Sequence, residues 1–253
     1  MGQRGNRVQG NSRVTGENAR AEMHRDGRDC MLKAVEFFRK RAGMPDDEFY
    51  DYWLTRHAGV VLGLEGLVRY VQNHPLPETR LGPAPAFDGV VEVWFEDAEA
   101  LKRNTRSRYW PEVVADEERF IDRASLAFLL VDEYAVLDTG WPRPGVKSIK
   151  TATRKPGLEV EAFQRHWLDV HGPLVAAIPG VRRHVQNHVK AGAYRSGADI
   201  FCDGYGATWF DSLDDARASG PTPEHKAVDA DEPAFKDTGA TIRLMVAEHV
   251  IKP

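Results

Sequence analysis

Hydrophobic and polar positions alternate in short segments that predict the same order of elements twice. Strand-like segments lie at 32–41, 67–74, 87–97 and 125–136 in the first half, and at 146–154, 181–188, 202–212 and 241–251 in the second. Glycine-containing turns separate these segments, as expected for strands. Helical spacing follows the first strand of each half and returns at 109–120 and 223–235. The predicted order in each half is β-α-β-β-α-β.

The two halves also repeat in sequence. Residues 49–74 (FYDYWLTRHAGVVLGLEGLVRYVQNH) and 163–188 (FQRHWLDVHGPLVAAIPGVRRHVQNH) match at a constant offset of 114, and eleven of the 26 pairs are identical. The identical pairs include a Phe-x-x-x-Trp-x-x-x-His series and a Val-Gln-Asn-His run. A period of this length is that of a small domain, since solenoid units recur every 20–50 residues. We interpret the chain as two copies of one fold.

The element order is that of the ferredoxin-like unit, an α+β fold with helices on one face of an antiparallel sheet. The other face must be covered, and two units on one chain can cover each other. We therefore predict two ferredoxin-like β-α-β-β-α-β units that form a single-chain dimeric α+β barrel. The first repeat would span 31–138 and the second 146–253, with a linker at 139–145. Two separate domains are the alternative.

Residues 1–30 differ in composition from the rest of the chain. Arginine recurs along this segment, and aromatic residues are absent from it. Such a segment buries too little apolar surface to offset the entropy of ordering it. We expect a disordered tail, or non-native sequence translated upstream of a start at Met31. An anion-binding arm is the functional alternative.

Composition narrows the classes of function. The net charge is −4 and the pI is near 6.2, which gives no basic footprint for nucleic acid. No apolar run approaches the roughly 20 residues that cross a bilayer. Cys30 and Cys202 occupy different places in the two copies, so they form neither a disulfide framework nor a metal motif. We expect a cytoplasmic protein that binds neither nucleic acid nor membrane. We also expect its two repeats to form an internal dimer, and further self-association of the chain stays open.

Helical spacing places three repeated side chains on one face. Phe49, Trp53 and His57 stand at i, i+4 and i+8, as do their counterparts in the second copy, Phe163, Trp167 and His171. A histidine at the end of an apolar face is partly desolvated and tends to stay neutral near pH 7. Neutral imidazole can take a proton and return it elsewhere on a substrate. We predict His57 and His171 as catalytic; a structural role at a helix end is the alternative.

The strand that follows adds Gln72 and His74 in the first copy, and Gln186 and His188 in the second. Alternate residues of a strand share a face. If that face looks toward the helix, each copy presents two imidazoles and one amide to a small cavity. Such N–H groups suit a developing enolate or phenolate oxygen. We predict both histidines as catalytic and both glutamines as substrate-binding, with exposure at the strand end as the alternative.

Aromatic residues supply further candidates for substrate binding: Trp53, Trp167, Tyr70 and Trp94. Core packing is the alternative role for the tryptophans. The first copy is the more aromatic, with Tyr50, Tyr52, Tyr70, Tyr109 and Trp110 where the second has Gln164, His166, His184, Glu224 and His225. Because aromatic walls suit a flat apolar ligand, we expect the working pocket in the first copy.

Paired histidines also raise the question of a metal. His57 and His74 with Asp88 or Glu92 would make a two-histidine-one-carboxylate site. The sequence contains no short-spaced ligand motif of the HxH, HExxH or CxxC kind. It also contains no glycine-rich phosphate loop and no G-x-S-x-G elbow. We expect no metal and no cofactor.

The combined pattern resembles the EthD-like family of the dimeric α+β barrel superfamily. The resemblance covers 31–252 and rests on the F-x-x-x-W-x-x-x-H-x-P-L helix, the P-G-V-R-R-x-V-Q run and the segment WPEVVADEERFID at 110–122. The first copy departs at Gly59, where the family usually has proline, and at Glu65; the second departs at 224–237. The resemblance implies the barrel fold. Related barrels include isomerases, lyases and cofactor-free oxygenases of polyketide aromatics.

Residues and resemblance together predict a cofactor-free acid/base enzyme of the lyase, isomerase or dehydratase type. Its substrate would be a small aromatic, polyketide-like or lactone metabolite, with histidine as the proton shuttle; a cofactor-free monooxygenase is a further option. The alternative is a binding or accessory protein that holds a hydrophobic small molecule without turnover. A structural module with both pockets filled by side chains is a third interpretation, because fold does not fix function.

Overall fold

Eight antiparallel strands close into one barrel in the computed structural model, which describes residues 31–79, 86–140 and 145–253. The strands are β1 Leu32–Lys40, β2 Leu67–Pro75, β3 Gly89–Phe95, β4 Ile121–Asp138, β5 Val146–Ala152, β6 Arg183–Val189, β7 Gly204–Phe210 and β8 Arg243–Lys252. The predicted tail at 1–30 lies outside the described residues, as does most of the predicted linker.

Helices connect the strands on the outside of the barrel. They are α1 Asp46–Tyr52, α2 Ala58–Leu62, α3 Ala98–Thr105, α4 Trp110–Glu117, α5 Val160–His166, α6 Gly172–Ala176, α7 Ala191–Ser196, α8 Leu213–Ser219 and α9 Pro223–Phe235. π-helical turns at Trp53–His57 and Trp167–His171 join α1 to α2 and α5 to α6. The observed order confirms the predicted β-α-β-β-α-β units, with α3, α7 and α8 as additions.

The strand order shows how the two repeats close the barrel. The order is β1-β3-β2-β8-β5-β7-β6-β4, with β4 returning to β1, so each repeat contributes four neighbouring strands. The last strand of each repeat pairs with the second strand of the other. Asn73 lies opposite Glu248 in one of these pairings, and Asn187 lies opposite Glu133 in the other. The chain is therefore its own dimer, as predicted.

Buried side chains form one core inside the barrel and a further core on the helix side of each repeat. The interior core is shared, with Val35, Val90 and Leu129 from the first repeat against Ile149, Val185 and Val246 from the second. The helix side of the first repeat holds one continuous cluster. The helix side of the second repeat holds two separate clusters. This difference between the repeats determines where space is left beneath the helices.

Charged residues are also buried inside the barrel. The Lys33 ammonium lies 2.6 Å from Glu133 and 2.8 Å from Glu92, and it donates to Asn187 Oδ1 over 2.7 Å. Lys147 contacts the same Glu92. Burial opposes the charge of Glu92, but the two lysines outweigh it and hold the pKa of Glu92 well below its usual range. One carboxylate therefore links lysines of both repeats.

Trp94 lies inside the barrel as well. The Lys33 ammonium is 4.4 Å from the centre of the Trp94 ring. Trp94 was predicted to bind substrate; it faces away from the helices, on the side of the sheet opposite His57 and His74, and its predicted role stays a prediction. Both faces of β3 are buried, with burial along nearly its whole length. Such a strand lacks the polar alternation that would reveal which side chains face which layer.

Candidate functional site

A tryptophan at the start of each π-helical turn packs the helix onto the sheet. Trp53 and Trp167 are buried, with 1% and 3% of their surface exposed. Gly89 and Gly204 permit this close approach, because a Cβ on either glycine would lie 2.8 Å from the facing indole. Trp53 is thus a core residue. Trp167 also belongs to a core cluster, but one side of it borders a cavity.

The repeated glutamines satisfy the backbone of the π-helical turns. Gln72 Nε2 donates to the Trp53 carbonyl over 2.8 Å, and Gln186 Nε2 donates to the Trp167 carbonyl over 2.7 Å. The Trp167 carbonyl also accepts from the Gly172 N–H, five residues further on. The glutamines face the helices and bind the protein's own backbone there, and their predicted role in substrate binding stays a prediction.

His74 and His188 complete the same hydrogen-bonded chains. Their Nε2 atoms lie 3.0 and 2.9 Å from the Oε1 atoms of Gln72 and Gln186. His188 stacks on Trp167 with 4.4 Å between ring centroids, and His74 stacks on Trp53 at 4.5 Å. Burial, with a smaller effect of His249, lowers the pKa of His74 to about 3. These two histidines lie on the predicted face, with their rings packed between core groups.

His57 and His171 are each held by an aspartate from the long connection to the last strand of the repeat. Asp116 lies on α4 and Asp231 lies on α9. His57 Nδ1–H donates to Asp116 over 2.8 Å, and His171 Nδ1–H donates to Asp231 over 2.9 Å. The second oxygen of Asp231 accepts from His166 Nε2 over 2.9 Å. The aspartates are not among the predicted site residues. A sequence signal for them exists, because V-x-x-D-E-x-x-F occurs at 113–120 and again at 228–235.

The aspartate fixes which nitrogen of His171 acts as a base. With Nδ1–H donated to Asp231, Nε2 carries the lone pair of the neutral ring. Burial lowers the pKa of His171 below its usual range, and the hydrogen bond to Asp231 opposes this shift only in part. The basic form therefore prevails near pH 7.

A cavity of about 90 Å³ lies beneath the helices of the second repeat. Its apolar wall includes Trp167, Val175, Ile178, Phe210, Val228 and Phe235. Its polar groups include Lys150, His171, His184, Thr208, His225 and Lys236. The apolar residues belong to the two helix-side clusters of this repeat, so the cavity occupies the gap between those clusters.

His184 is a second imidazole in this cavity. Its side chain is buried, with Nδ1 2.8 Å from the Thr208 hydroxyl oxygen. Its Nε2 atom is buried and has no hydrogen-bond partner in the described part of the chain. Burial lowers the pKa of His184 to about 3, and the nearby His171 adds to this effect. His184 is not among the predicted site residues, since the first repeat has Tyr70 at its place.

The sequence family agrees with the duplicated fold. The EthD domain model matches residues 41–124 and, a second time, residues 155–239. Together these stretches exceed half of the chain. The chain belongs to the EthD domain family. It carries two EthD repeats in tandem, and a comparison with curated proteins found no match.

Solved structures resemble the whole tandem barrel. An anthrone oxidase-like protein is 12% identical, with a TM-score of 0.61 over 90% of this chain and 96% of that one. A protein from Fusobacterium nucleatum provisionally described as a monooxygenase is 9% identical, with a TM-score of 0.55 over 88% and 93%. A similarly described protein from Lactobacillus acidophilus is 10% identical, with a TM-score of 0.52 over 87% and 94%. Identities this low establish the fold alone.

In the first EthD repeat, larger side chains occupy the space that corresponds to the cavity. The two repeats differ at five matching places in this region. The first repeat has Phe38 for Ala152, Tyr70 for His184, Val91 for Gly206, Trp110 for His225 and Ile121 for Lys236. Phe38 and Tyr70 are 1% and 0% exposed and belong to the continuous core cluster. Of the aromatic residues that favoured a pocket in the first repeat, Tyr70 is part of the core, and the others are partly buried and pack against it: Tyr50, Tyr52, Tyr109 and Trp110. The cavity described above lies in the second repeat.

A larger groove carries different chemistry. It measures about 900 Å³ and lies between residues 126–130 of β4 and the segment 189–201 that contains α7. Its lining is mainly aliphatic and contains none of the predicted site residues. Chemistry, not size, therefore selects the smaller cavity as the candidate site.

The geometry also bears on metal and membrane binding. Within the described residues, no three histidine, cysteine or carboxylate side chains are grouped to hold a metal ion. The set considered from the sequence is dispersed: His57 binds Asp116, and Glu92 lies inside the barrel. Among the helices of the described ranges, none has the length and apolar character needed to span a bilayer.

Proposed function

We propose that the second EthD repeat is a cofactor-free acid/base site for a small aromatic, polyketide-like or lactone metabolite, of the lyase, isomerase or dehydratase type. One observation carries the proposal. His171, held by Asp231, lines a cavity together with His184, whose buried Nε2 has no partner among the described residues. Two neutral imidazoles beside apolar walls suit proton transfer on a carbonyl or phenolic compound.

His171 acts as the base in this proposal. Its Nε2 lone pair takes a proton from a carbon next to a carbonyl group, and the C–H electron pair moves to the carbonyl oxygen as an enolate. Asp231 stabilises the imidazolium that forms, because its carboxylate accepts the Nδ1–H. Return of the proton to another carbon gives isomerisation. In dehydration the His171 imidazolium gives the proton to a β-hydroxyl group, which leaves as water as the enolate electron pair forms the new C=C bond.

His184 stabilises the enolate. When the Thr208 hydroxyl donates to Nδ1, the neutral ring carries its proton on Nε2, and His184 is part of the cavity lining. Burial, which lowers the pKa of His184 to about 3, keeps this ring neutral at pH 7. A neutral N–H donor in a desolvated site stabilises a developing oxyanion without giving up its proton.

Proton abstraction is tested by α-proton exchange. Phenylpyruvate, an enolisable aromatic keto acid, and a panel of aromatic ketones and lactones are incubated with the protein in D₂O, and the loss of α-proton signals is followed by NMR. We expect exchange above the uncatalysed rate for members of this panel. His171→Ala should reduce it by about 10²–10⁴-fold. His57→Ala is the matched control in the filled repeat and should leave exchange unchanged.

Two other outcomes separate the alternatives. Saturable quenching of tryptophan fluorescence without exchange or product would support a binding protein and contradict the catalytic proposal. Substrate loss that consumes oxygen, recorded with an oxygen electrode, would favour the oxygenase option, which the descriptions of the barrel neighbours suggest. Exchange that persists unchanged in His171→Ala would remove His171 from the mechanism.

A further inference from the structure

Two lysines contribute to the wall of the second-repeat cavity. Lys150 lies on β5, and Lys236 directly follows α9. Both bind the carboxylate of Glu232: Lys236 Nζ lies 2.8 Å from Oε1, and Lys150 contacts the same oxygen. The Arg243 guanidinium lies 3.9 Å from the other oxygen. Three cations therefore surround one carboxylate.

The Lys236–Glu232 pair of this cluster is desolvated, whereas Lys150 is partly exposed and Arg243 is largely exposed. Lys236 and Glu232 are 4% and 3% exposed. Burial and the neighbouring Lys150 lower the pKa of Lys236 to about 8, although Glu232 opposes the shift. A buried cation is stabilised by an opposite charge, so a second anion in the cavity would relieve the imbalance.

The cationic pair is specific to the repeat that has the cavity. The first repeat has Glu36 and Ile121 at the places of Lys150 and Lys236, and it keeps Glu117 at the place of Glu232. Burial raises the pKa of Glu36 to about 8, and Glu117 adds to this effect. The corresponding part of the first repeat thus has two carboxyl groups in place of the lysine pair and its carboxylate, and Glu117 there contacts Arg123. The lysines are not needed to build the fold, because the first repeat forms the same elements without them.

We propose that the ligand of this cavity is a small monocarboxylate, whose carboxylate binds at Lys150 and Lys236 while its apolar part packs against Trp167 and Phe235. Lysine ammonium groups have three donors each, so both can bind a ligand while they contact Glu232. The inference deepens the proposed function, since it concerns the same cavity. The carboxylate of a keto acid would anchor the substrate on one side while His171 reaches the methylene carbon next to the ketone on the other.

The test compares a charged probe with its neutral counterpart. Binding of phenylpyruvate and of 1-phenylpropan-2-one, which carries a methyl group in place of the carboxylate, is measured by calorimetry on the wild-type full-length protein at pH 7. We expect the keto acid to bind about 10–100-fold more tightly, the range for a charge-assisted contact. Inorganic phosphate, as a third probe, should bind at least about tenfold more weakly than phenylpyruvate, because it gains nothing from the apolar wall.

Variants then assign the selectivity to the lysines. Lys150→Met should remove most of the preference for the keto acid, and Lys150→Arg should retain it. Lys190→Met is the control, because Lys190 pairs with Asp132 outside this cavity, and it should bind like wild type. Thermal unfolding checks that each variant is folded. If Lys150→Met fails to fold, the proposal is tested by the binding of phenylpyruvate and 1-phenylpropan-2-one to the wild-type protein alone.

The outcomes distinguish this inference from the proposed function. Equal binding of the two phenyl compounds by wild type, or equal binding of phosphate and phenylpyruvate, would overturn the carboxylate ligand. If the carboxylate ligand were overturned in this way but His171→Ala still abolished α-proton exchange, the acid/base site would stand without a carboxylate-binding function. A preference for the keto acid that Lys150→Met removes, with no exchange on any probe, would support the carboxylate site and contradict the catalytic proposal.

Discussion

Asp231 holds His171 through a 2.9 Å hydrogen bond from Nδ1, and Asp116 holds His57 in the same way over 2.8 Å. Both repeats therefore orient the imidazole. In the described part of the chain, the second repeat has a cavity beside this ring, and Lys150, His184, His225 and Lys236 are the other titratable residues of its lining. Both repeats keep the aspartate that orients the histidine ring. The repeats differ in the space and in the polar groups around that ring.

Replacing Asp231 by asparagine should impair the base without removing it. The amide keeps the size of the side chain but no longer stabilises the imidazolium, so we expect exchange to fall by at least about tenfold. The hydrogen bond from Asp231 raises the pKa of His171 against the effect of burial. Its loss should therefore move the acidic limb of the pH–rate profile to lower pH.

The matched control for this variant is Asp116→Asn, which alters the same pair in the first repeat. It should change neither the rate of exchange nor the pH profile. A lower rate in Asp231→Asn with an unshifted acidic limb would indicate a structural role for Asp231.

Filling the cavity should abolish ligand binding while the fold is kept. Gly206 lies beside His184, and a Cβ on Gly206 would be 3.4 Å from the ring. Gly206→Val introduces the residue that the first repeat has at this place, Val91. We expect binding and exchange to fall by at least about tenfold, with a change in the free energy of unfolding of about 1–3 kcal/mol or less.

The reverse change, Val91→Gly, serves as the control. It should lower stability, because it removes a buried side chain and adds glycine to a strand, but it should leave exchange unchanged. Normal binding by Gly206→Val, measured by tryptophan fluorescence, would place the ligand elsewhere.

The Gln-x-His pair should matter for stability. Gln72→Leu removes the donor to the Trp53 carbonyl and the acceptor for His74 Nε2, both buried. We expect urea unfolding to show a loss of about 1–3 kcal/mol. Thr55→Ala, which removes an exposed hydrogen bond to the Asp51 carbonyl, should cost about 0.5 kcal/mol or less. Equal stability of the two variants would contradict the structural role of Gln72.

The stability of the barrel should depend on the charge of Glu92, which links Lys33 of the first repeat to Lys147 of the second. Glu92→Gln leaves Lys33 and Lys147 without their shared carboxylate. Removing one partner of a buried ion pair costs about 3–5 kcal/mol. Glu65→Gln breaks the exposed pair with Arg103 and should cost about 1 kcal/mol or less. Denaturant unfolding of the two variants provides the comparison, and a cost for Glu92→Gln as small as that for Glu65→Gln would contradict the link.

The sequence was informative about the fold because the duplication displays it twice. Strand and helix segments that match at fixed offsets predict two identical units, and the apolar sheet faces require those units to pack together. It was harder to predict which side chains of each strand point into the barrel and which point toward the helices. Trp94 and Glu92 share a strand that is buried on both faces, so only the register of the closed barrel reveals that both side chains point inward.

The candidate site was predicted in part. The spacing of Trp167 and His171 indicates a shared helix face, and the structure places both at the cavity. His184 and Lys236 escaped prediction because the first repeat has Tyr70 and Ile121 in their places, so identity between the copies does not mark them. Residues that both copies keep are mainly structural here, such as Gln186 at the Trp167 carbonyl. The working groups of the proposed site include residues in which the copies differ.

The most direct measurement is the crystal structure of the protein with phenylpyruvate bound. The proposal predicts one molecule, in the second-repeat cavity, with its methylene carbon near His171 Nε2 and its carboxylate at Lys150 and Lys236. Density for the ligand among Phe38, Tyr70 and His57 of the first repeat, or in the groove along 126–130 and 189–201, would contradict it.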